Sequence, residues 1–255
     1  MSTQDTLRVV ELFHLLFLDV FGRKVDKRSY AVKGGCNLRF FLRSFRYSED
    51  LDLDVENIAK EKLEETVNDL LDSTPFRDIL RVRGLAIKRW SAPKQTEPTQ
   101  RWKLGLAVPD SDVLRPTKLE FSRRGMKKGI VFEALNPEVI KAHQLTPIMA
   151  NHYDAHAAYE QKVEALIRRP ATRARDVFDL SLLLNSGVDS HISNRALSAD
   201  IARAETNAMS VTFDAFKAQV LSYLDSEHQA QYDSETVWED AVLRVVEALS
   251  SGVRE

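Results

Sequence analysis

The chain has 255 residues, 44% of them hydrophobic and 29% charged, which excludes an intrinsically disordered protein and leaves enough length for a sizeable core. Its net charge of −2 excludes a polycation, so contact with a nucleic acid would require a local cluster of basic residues. The lone cysteine, Cys36, excludes an intramolecular disulfide, and the absence of a signal peptide or of ~20 consecutive apolar residues predicts a cytoplasmic protein that does not contact a membrane.

In the first part of the chain, the sequence pattern predicts both helices and strands. Apolar spacing of about 3.6 residues predicts helices over residues 5–21, 37–43 and 57–71, with Asn57 as an N-cap. Alternating or short apolar runs predict strands over residues 30–32, 51–55, 79–90, 101–108, 118–123 and 129–134.

In the last part of the chain, the sequence pattern predicts only helices. They cover residues 153–169, 175–184, 193–204, 212–224 and 234–249. The character of the sequence changes near Pro147. We therefore predict an α+β protein in which a domain with a mixed sheet, residues 1–147, precedes a helical domain, residues 148–255.

Two adjacent glycines, Gly34 and Gly35, lie between the first predicted strand and the next helix. Glycine allows the main chain to approach a ligand closely, and a helix that begins there presents free N–H groups to an anion such as a triphosphate. A tight turn without a ligand is the alternative interpretation.

A row of carboxylates follows on the strand at residues 51–55. Side chains two residues apart project from one face of a strand, so Asp50, Asp52 and Asp54 lie side by side. Their mutual repulsion calls for a cation, and Mg²⁺ prefers carboxylate oxygens. The alternative is a solvated strand face at the edge of a sheet, where charges discourage aggregation.

The glycines and the acidic strand together resemble the AbiEii-type branch of the polymerase-β-like nucleotidyltransferases. That branch has Lys-Gly-Gly-x-x-Leu-Arg followed by Arg-x-Ser-x-Asp-x-Asp, which the chain matches at residues 33–39 and 46–52. The resemblance implies an N-terminal nucleotidyltransferase domain and makes Asp50 and Asp52 metal ligands. It also implies that the nucleotide phosphates contact Lys33, Gly34, Gly35, Arg46 and Ser48.

A third carboxylate is expected on a later strand in this superfamily. Glu120 lies between two apolar residues on the predicted strand 118–123, which fits that pattern and implies a third metal ligand. An ordinary outward-facing glutamate on an amphipathic strand is the alternative. Cys36, beside the glycines, is interpreted as a small filler, because the sequence offers no partner base for a nucleophile.

The helical part contains a second match to the same family. A lysine on a helix, Lys162, precedes an Arg-Asp-Val-Phe-Asp-Leu run over residues 175–180, and Arg169 lies on the same helix face as Lys162. The resemblance implies that Lys162 and Arg169 bind the nucleotide and that Asp176 organises the site. The alternative is a pair of helices joined by weak surface ion pairs.

The function implied by the resemblance is that of a toxin. It would transfer a nucleoside monophosphate from an NTP, with Mg²⁺ as cofactor, to an acceptor hydroxyl such as the 3′ end of a tRNA, and a neighbouring gene would encode its antitoxin. Four basic residues could bind such an RNA: Arg123, Arg124, Lys127 and Lys128. The alternative is that they form a solvated turn between two strands. A protein or small-molecule acceptor and an inactive nucleotide-binding scaffold are the alternatives.

Overall fold

The computed structural model describes residues 3–109 and 111–252. The chain divides into two compact units: the part up to Phe41 with Tyr47–Tyr153, and Leu42–Arg46 with the part from Asp154 onward. The predicted boundary at residue 147 lies ahead of one further strand that pairs into the sheet of the first unit. The predicted α+β class is confirmed.

The first unit is built on a mixed sheet. Its strands are β1 (Tyr30–Lys33), β2 (Asp50–Val55), β3 (Ala86–Thr96), β4 (Thr99–Val108), β5 (Ser111–Ser122), β6 (Ile130–Ala134) and β7 (Met149–Tyr153). Within the described residues they form one seven-stranded sheet in the order β3-β4-β5-β2-β1-β7-β6. Strand β2 is central, because it pairs antiparallel with β1 and parallel with β5.

Helices cover this sheet. They are α1 (Thr3–Lys24), α2 (Gly34–Phe40), α3 (Lys60–Asp72), α4 (Thr74–Val82) and α5 (Pro137–Ala142), with a 3₁₀ turn at Lys27–Ser29. The buried Phe21 of α1 packs at 5.4 Å, between ring centroids, against both Tyr30 of β1 and Phe121 of β5. Leu51 and Leu53 of β2 are fully buried. The apolar face of β2 thus joins the core, and its alternate residues are left for the other face.

Two local predictions in this unit were wrong. Residues 79–82 belong to helix α4, which the Ser73 side chain caps by accepting a hydrogen bond from the Phe76 amide, and β3 begins only at Ala86. Asn57 has a φ of +57° and does not cap α3, which begins at Lys60. In both places a capping or turn residue sets the boundary where apolar spacing was ambiguous.

The second unit contains helices and no strand among the residues described. Its helices are α6 (Ala155–Arg168), α7 (Ala174–Asn185), α8 (Arg195–Ser198), α9 (Ile201–Met209), α10 (Phe213–Gln219), α11 (Ser226–Tyr232) and α12 (Glu235–Gly252). Buried rings of Phe178, Phe216 and Trp238 form its core, with centroid distances of 5.6 and 4.5 Å along that series. No helix in the described part of the chain is long and apolar enough to span a membrane.

Candidate active site

The acidic face of β2 carries the first two predicted site residues. Asp50 and Asp52 alternate with the buried Leu51 and Leu53, so both carboxylates point away from the core. The Asp50 carboxylate lies 2.7 Å from the ammonium of Lys118, its register partner on β5, and its side chain is 18% exposed. This carboxylate is therefore paired with a cation and still reached by solvent.

Glu120 lies beside this pair. The register of the parallel strands places Glu120 of β5 directly opposite Asp52 of β2, so the structure brings the three predicted acids to one face of two neighbouring strands. Arg101 of β4 binds Glu120 with 2.6 Å between Nη2 and Oε2. Carboxylates and cations therefore alternate across the face.

Gly34 makes room for Asp52. A Cβ atom at position 34 would lie 3.0 Å from the Asp52 Oδ2 atom, and the residue has a φ of +66°, which L-residues rarely adopt. Any side chain would crowd the carboxylate and strain the main chain. The helix that follows, α2, begins at Gly34 rather than at the predicted residue 37 and has seven residues.

Lys33 and Asp54 form a separate pair at the far end of the same face. The Lys33 ammonium lies 2.5 Å from Asp54 Oδ1, and the Tyr153 hydroxyl donates a 2.8 Å hydrogen bond to Asp54 Oδ2. Burial and the charge of Asp54 raise the pKa of Tyr153, so this hydroxyl stays protonated. Lys33, a predicted phosphate ligand, thus contacts a carboxylate in this structure.

Ser48 and Cys36 contact the main chain at the start of β2. The Ser48 hydroxyl donates a 2.9 Å hydrogen bond to the Asp50 carbonyl, and the Cys36 thiol lies 3.2 Å from the same oxygen. Burial, followed by the charge of Asp52, raises the pKa of the Cys36 thiol well above its usual range. A protonated, buried thiol agrees with the filler interpretation of Cys36 and not with a nucleophile.

The donor set suits a hard divalent cation through Asp50 and Asp52. Mg²⁺ usually binds through one or two carboxylates and completes its shell with water and substrate phosphates. The missing side chain of Gly34 leaves space beside Asp52 Oδ2 for such an ion. Among the residues that the structure describes, no group of three or more His, Cys, Asp or Glu side chains is arranged as a metal site. A role for Glu120 as third ligand therefore stays a prediction.

The predicted site residues of the helical unit form a buried ion cluster. Lys162 Nζ lies 3.1 Å from Asp176 Oδ1 and 2.6 Å from Asp179 Oδ2. Arg46 Nε lies 2.8 Å from Asp179 Oδ1, and Arg169 Nε lies 3.2 Å from Asp176 Oδ2. Both aspartates are fully buried, so the alternative of weak surface pairs is wrong here.

The cluster gathers cations around two carboxylates. Arg46, Lys162 and Arg169 lie within ion-pair distance of Asp176 or Asp179. Burial raises the pKa of Asp179, but the charges of Arg46 and Lys162 outweigh it and lower that pKa to about 2. Asp179 is therefore ionised at neutral pH, and its partners are Arg46 and Lys162.

The basic turn after β5 is held by several contacts. The Arg123 guanidinium donates a 2.8 Å hydrogen bond to the Ile58 carbonyl, so this arginine has a structural role. The Lys127 amide donates to the Tyr153 hydroxyl at 3.0 Å. Sequence reasoning missed Lys118 and Arg101, the counter-ions of the acidic face. Strand alternation could have placed Lys118 beside Glu120, whereas Arg101 depends on the register between β4 and β5.

A family model matches most of the chain, and solved structures share its fold. Residues 16–248 match the family model for the nucleotidyl transferase AbiEii toxin of type IV toxin–antitoxin systems. MenT4, a nucleotidyltransferase toxin from Mycobacterium tuberculosis, has a similar structure, with a TM-score of 0.60 and 19% identity over 98% of this chain and 86% of its own.

Two solved structures from Helicobacter pylori share the fold. A putative nucleotidyltransferase has a TM-score of 0.59 and 17% identity, with 100% of both chains covered. The protein JHP933 has a TM-score of 0.58 and 17% identity, over 97% of this chain and 94% of its own. No curated protein matches the chain. At these identities the solved structures support the fold, and the family match covers most of the chain.

Proposed function

Because the chain belongs to the AbiEii family of nucleotidyl transferase toxins, we propose that Asp50 and Asp52 hold Mg²⁺ while the protein transfers a nucleoside monophosphate from an NTP to an acceptor hydroxyl. The observation that carries this proposal is the pair of outward-facing carboxylates two residues apart on β2, with Gly34 leaving space beside Asp52. NTP is the substrate that nucleotidyl transfer requires. We place the reaction in the cytoplasm, where NTP and RNA are abundant.

The carboxylates have different roles in the reaction. The acceptor oxygen bonds to the α-phosphorus, the bond from that phosphorus to the bridging oxygen breaks, and pyrophosphate leaves. Mg²⁺ held by Asp50 and Asp52 would polarise the phosphate and make the acceptor oxygen a better nucleophile. Glu120, opposite Asp52, takes or orients the proton of the acceptor hydroxyl, and Arg101 holds that carboxylate in place. Most of the rate enhancement then comes from positioning and charge stabilisation.

Phosphate binding is assigned to two groups of residues. On the first unit these are the main chain at Gly34 and Gly35, with the side chains of Lys33 and Ser48. On the helical unit they are Arg46, Lys162 and Arg169, with Asp176 orienting Lys162 at 3.1 Å. The gathering of three cations in the helical cluster supports this assignment, since a triphosphate is strongly anionic.

We propose RNA, specifically the 3′ end of a tRNA, as the acceptor. The turn after β5 brings Arg124, Lys127 and Lys128 together in sequence, and basic clusters of this kind neutralise nucleic-acid phosphates. The family also implies a cognate antitoxin. We propose that a neighbouring gene encodes it.

The direct test is an incubation of the protein with Mg²⁺, each α-³²P-labelled NTP and total bacterial tRNA. We expect wild-type protein to label RNA and Asp50→Ala to lose at least ~100-fold in rate, because the metal carboxylate is gone. Asp78→Asn is the matched control, since Asp78 is an exposed acid with its own arginine partner, Arg81, at 2.9 Å. This control should label RNA like wild type.

The other outcomes are equally informative. Label on protein instead of RNA would move the acceptor to a hydroxyl side chain, and label on neither would point to a small molecule. Equal labelling by wild type and Asp50→Ala would contradict the role of Asp50. If wild-type protein neither transfers nor binds Mg²⁺·NTP, an inactive scaffold is the remaining interpretation.

A further inference from the structure

The strand that carries the metal carboxylates extends past its neighbour β1. Pairing between β1 and β2 runs from Tyr30–Val55 to Lys33–Asp52 and goes no further toward Asp50. At this end of β2, side chains supply hydrogen bonds to the main chain. The Thr117 hydroxyl donates to the Glu49 carbonyl at 2.7 Å, and the Cys36 thiol lies 3.2 Å from the Asp50 carbonyl.

These two side chains meet on a buried histidine. His14 Nε2 lies 2.7 Å from Thr117 Oγ1, and the Cys36 sulfur lies 3.6 Å from His14 Nδ1. His14, Cys36 and Thr117 are 0%, 1% and 4% exposed. The three residues come from α1, α2 and β5, so the network ties three separate elements to the start of β2.

The protons of this network have one consistent arrangement. Thr117 uses its own proton on the Glu49 carbonyl, so it must accept the hydrogen bond from His14, and Nε2 is the protonated ring nitrogen. Nδ1 then carries a lone pair, and the Cys36 thiol shares its single proton between the Asp50 carbonyl, 3.2 Å away, and Nδ1, 3.6 Å away. Burial lowers the pKa of His14 to about 3, which agrees with the neutral ring that this arrangement needs.

We infer that His14, Thr117 and Cys36 are positioning residues, which fix the main chain at Glu49 and Asp50 and thereby aim the Asp50 and Asp52 carboxylates. None of the four contacts that define the network touches a carboxylate, and two of them end on main-chain carbonyls, so the network acts through the main chain. A buried polar side chain costs free energy unless it is hydrogen-bonded, and this network satisfies all three side chains at Glu49 and Asp50, ahead of the last β1 pair at Asp52. The inference rests on the proposed function for what the carboxylates do.

The test compares Thr117→Val with Thr117→Ser. Valine removes the hydroxyl and keeps the shape, whereas serine keeps the hydroxyl. We expect Thr117→Val to lower kcat about tenfold with KM for NTP within about twofold of wild type, because small displacements of catalytic groups are costly. Thr117→Ser should restore kcat to within about twofold. His14→Gln, with a neutral donor and acceptor, should lie between them.

A second readout does not depend on activity. Amide hydrogen exchange across residues 47–55 should accelerate several-fold in Thr117→Val and return to the wild-type rate in Thr117→Ser. Ser181→Ala is the matched control, because the buried Ser181 hydroxyl also donates to a main-chain carbonyl, that of Phe178, at 2.8 Å. It should leave exchange across 47–55 unchanged.

Failure of the inference and failure of the proposed function give different results. Equal exchange and equal kcat in Thr117→Val and Thr117→Ser would overturn the inference, whatever the wild-type activity. Faster exchange in Thr117→Val with no activity in wild-type protein would support the fixed main chain and count against the proposed function. Faster exchange with wild-type kcat would reduce the network to a structural role and overturn its assignment as positioning.

Discussion

Two regions of the molecule pair carboxylates with cations in opposite ways. On the sheet, the side chains of Asp50, Lys118, Glu120 and Arg101 are 18–37% exposed. In the helical unit, Asp176 and Asp179 are fully buried and Lys162 is 10% exposed. Arg169 of the second region is also 32% exposed, but the carboxylates differ: solvent reaches those on the sheet and does not reach Asp176 and Asp179. The exposed carboxylates can therefore exchange partners with solvent, whereas the buried ones depend on their cations.

The largest expected effect is on the buried cluster. Asp179→Ala leaves Arg46 and Lys162 with one buried carboxylate fewer, and we expect a loss of about 3–5 kcal/mol in the free energy of unfolding. Glu120→Ala, in the exposed region, should cost less than about 1 kcal/mol. Denaturant unfolding of both variants measures the difference. Equal losses would remove the distinction between the two regions.

Lowering the pH from 4 to 2 should reduce the contribution of Asp179 to the free energy of unfolding. The pKa of Asp179 is lowered from 3.8 to about 2, so its contribution is complete above pH 4 and is lost as pH falls through 2. The stability difference between wild type and Asp179→Asn should shrink by about 2 kcal/mol between pH 4 and pH 2. Unfolding curves at matched pH give this difference directly. A difference independent of pH would show that Asp179 is not held ionised.

Comparing Gly34→Ala with Gly187→Ala distinguishes crowding of the Asp52 carboxylate from main-chain strain. Gly34→Ala and Gly187→Ala should each cost about 1 kcal/mol in stability, because both residues have a positive φ, +66° and +86°. Only Gly34 has a carboxylate within reach of the new Cβ, and nothing lies within 4 Å at Gly187. Mn²⁺ affinity should therefore fall in Gly34→Ala alone. A similar fall in Gly187→Ala would trace the effect to strain or to loss of fold.

The smallest expected effect concerns Lys118. Its ammonium lies 2.7 Å from Asp50 Oδ2, so under the proposed function it would compete with the metal ion for that carboxylate. Lys118→Met should tighten Mn²⁺ binding by a few-fold, about 1 kcal/mol or less, and Lys62→Met, which breaks the exposed pair with Glu65, should not. Titration calorimetry compares the two. Weaker Mn²⁺ binding in Lys118→Met would make this lysine a support of the site and not a competitor.

Local patterns predicted the acidic face and could not predict its counter-ions. The alternation in β2 and the Gly34–Gly35 turn are short-range signals, so the sequence was sufficient for the Asp50–Asp52 pair. Contacts such as Arg101–Glu120 depend on strand register, which a sequence pattern does not specify. The hydrogen bond between His14 and Thr117 joins residues 103 apart in the chain, so no local sequence pattern predicts it.

The motif that contains Arg46 and Ser48 also shows that a sequence pattern does not specify long-range contacts. Arg46 and Ser48 read as one phosphate-binding motif because they are two residues apart. In the structure, residues 42–46 belong to the helical unit, where Arg46 pairs with Asp179, 133 residues away. Ser48 belongs to the first unit and contacts the Asp50 carbonyl. Adjacent motif residues can thus serve different units, and only long-range packing decides which.

Mn²⁺ binding, monitored by electron paramagnetic resonance in the presence of a non-hydrolysable NTP analogue, decides whether Asp50 and Asp52 are metal ligands. Wild type is compared with Asp50→Asn, Asp52→Asn and the exposed-acid control Asp78→Asn. We expect Asp50→Asn and Asp52→Asn each to lose at least ~100-fold in affinity while the control binds like wild type, because carboxylate oxygens are the ligands that such ions prefer. Wild-type affinity in both Asp50→Asn and Asp52→Asn would contradict the assignment of the acidic face as the metal site.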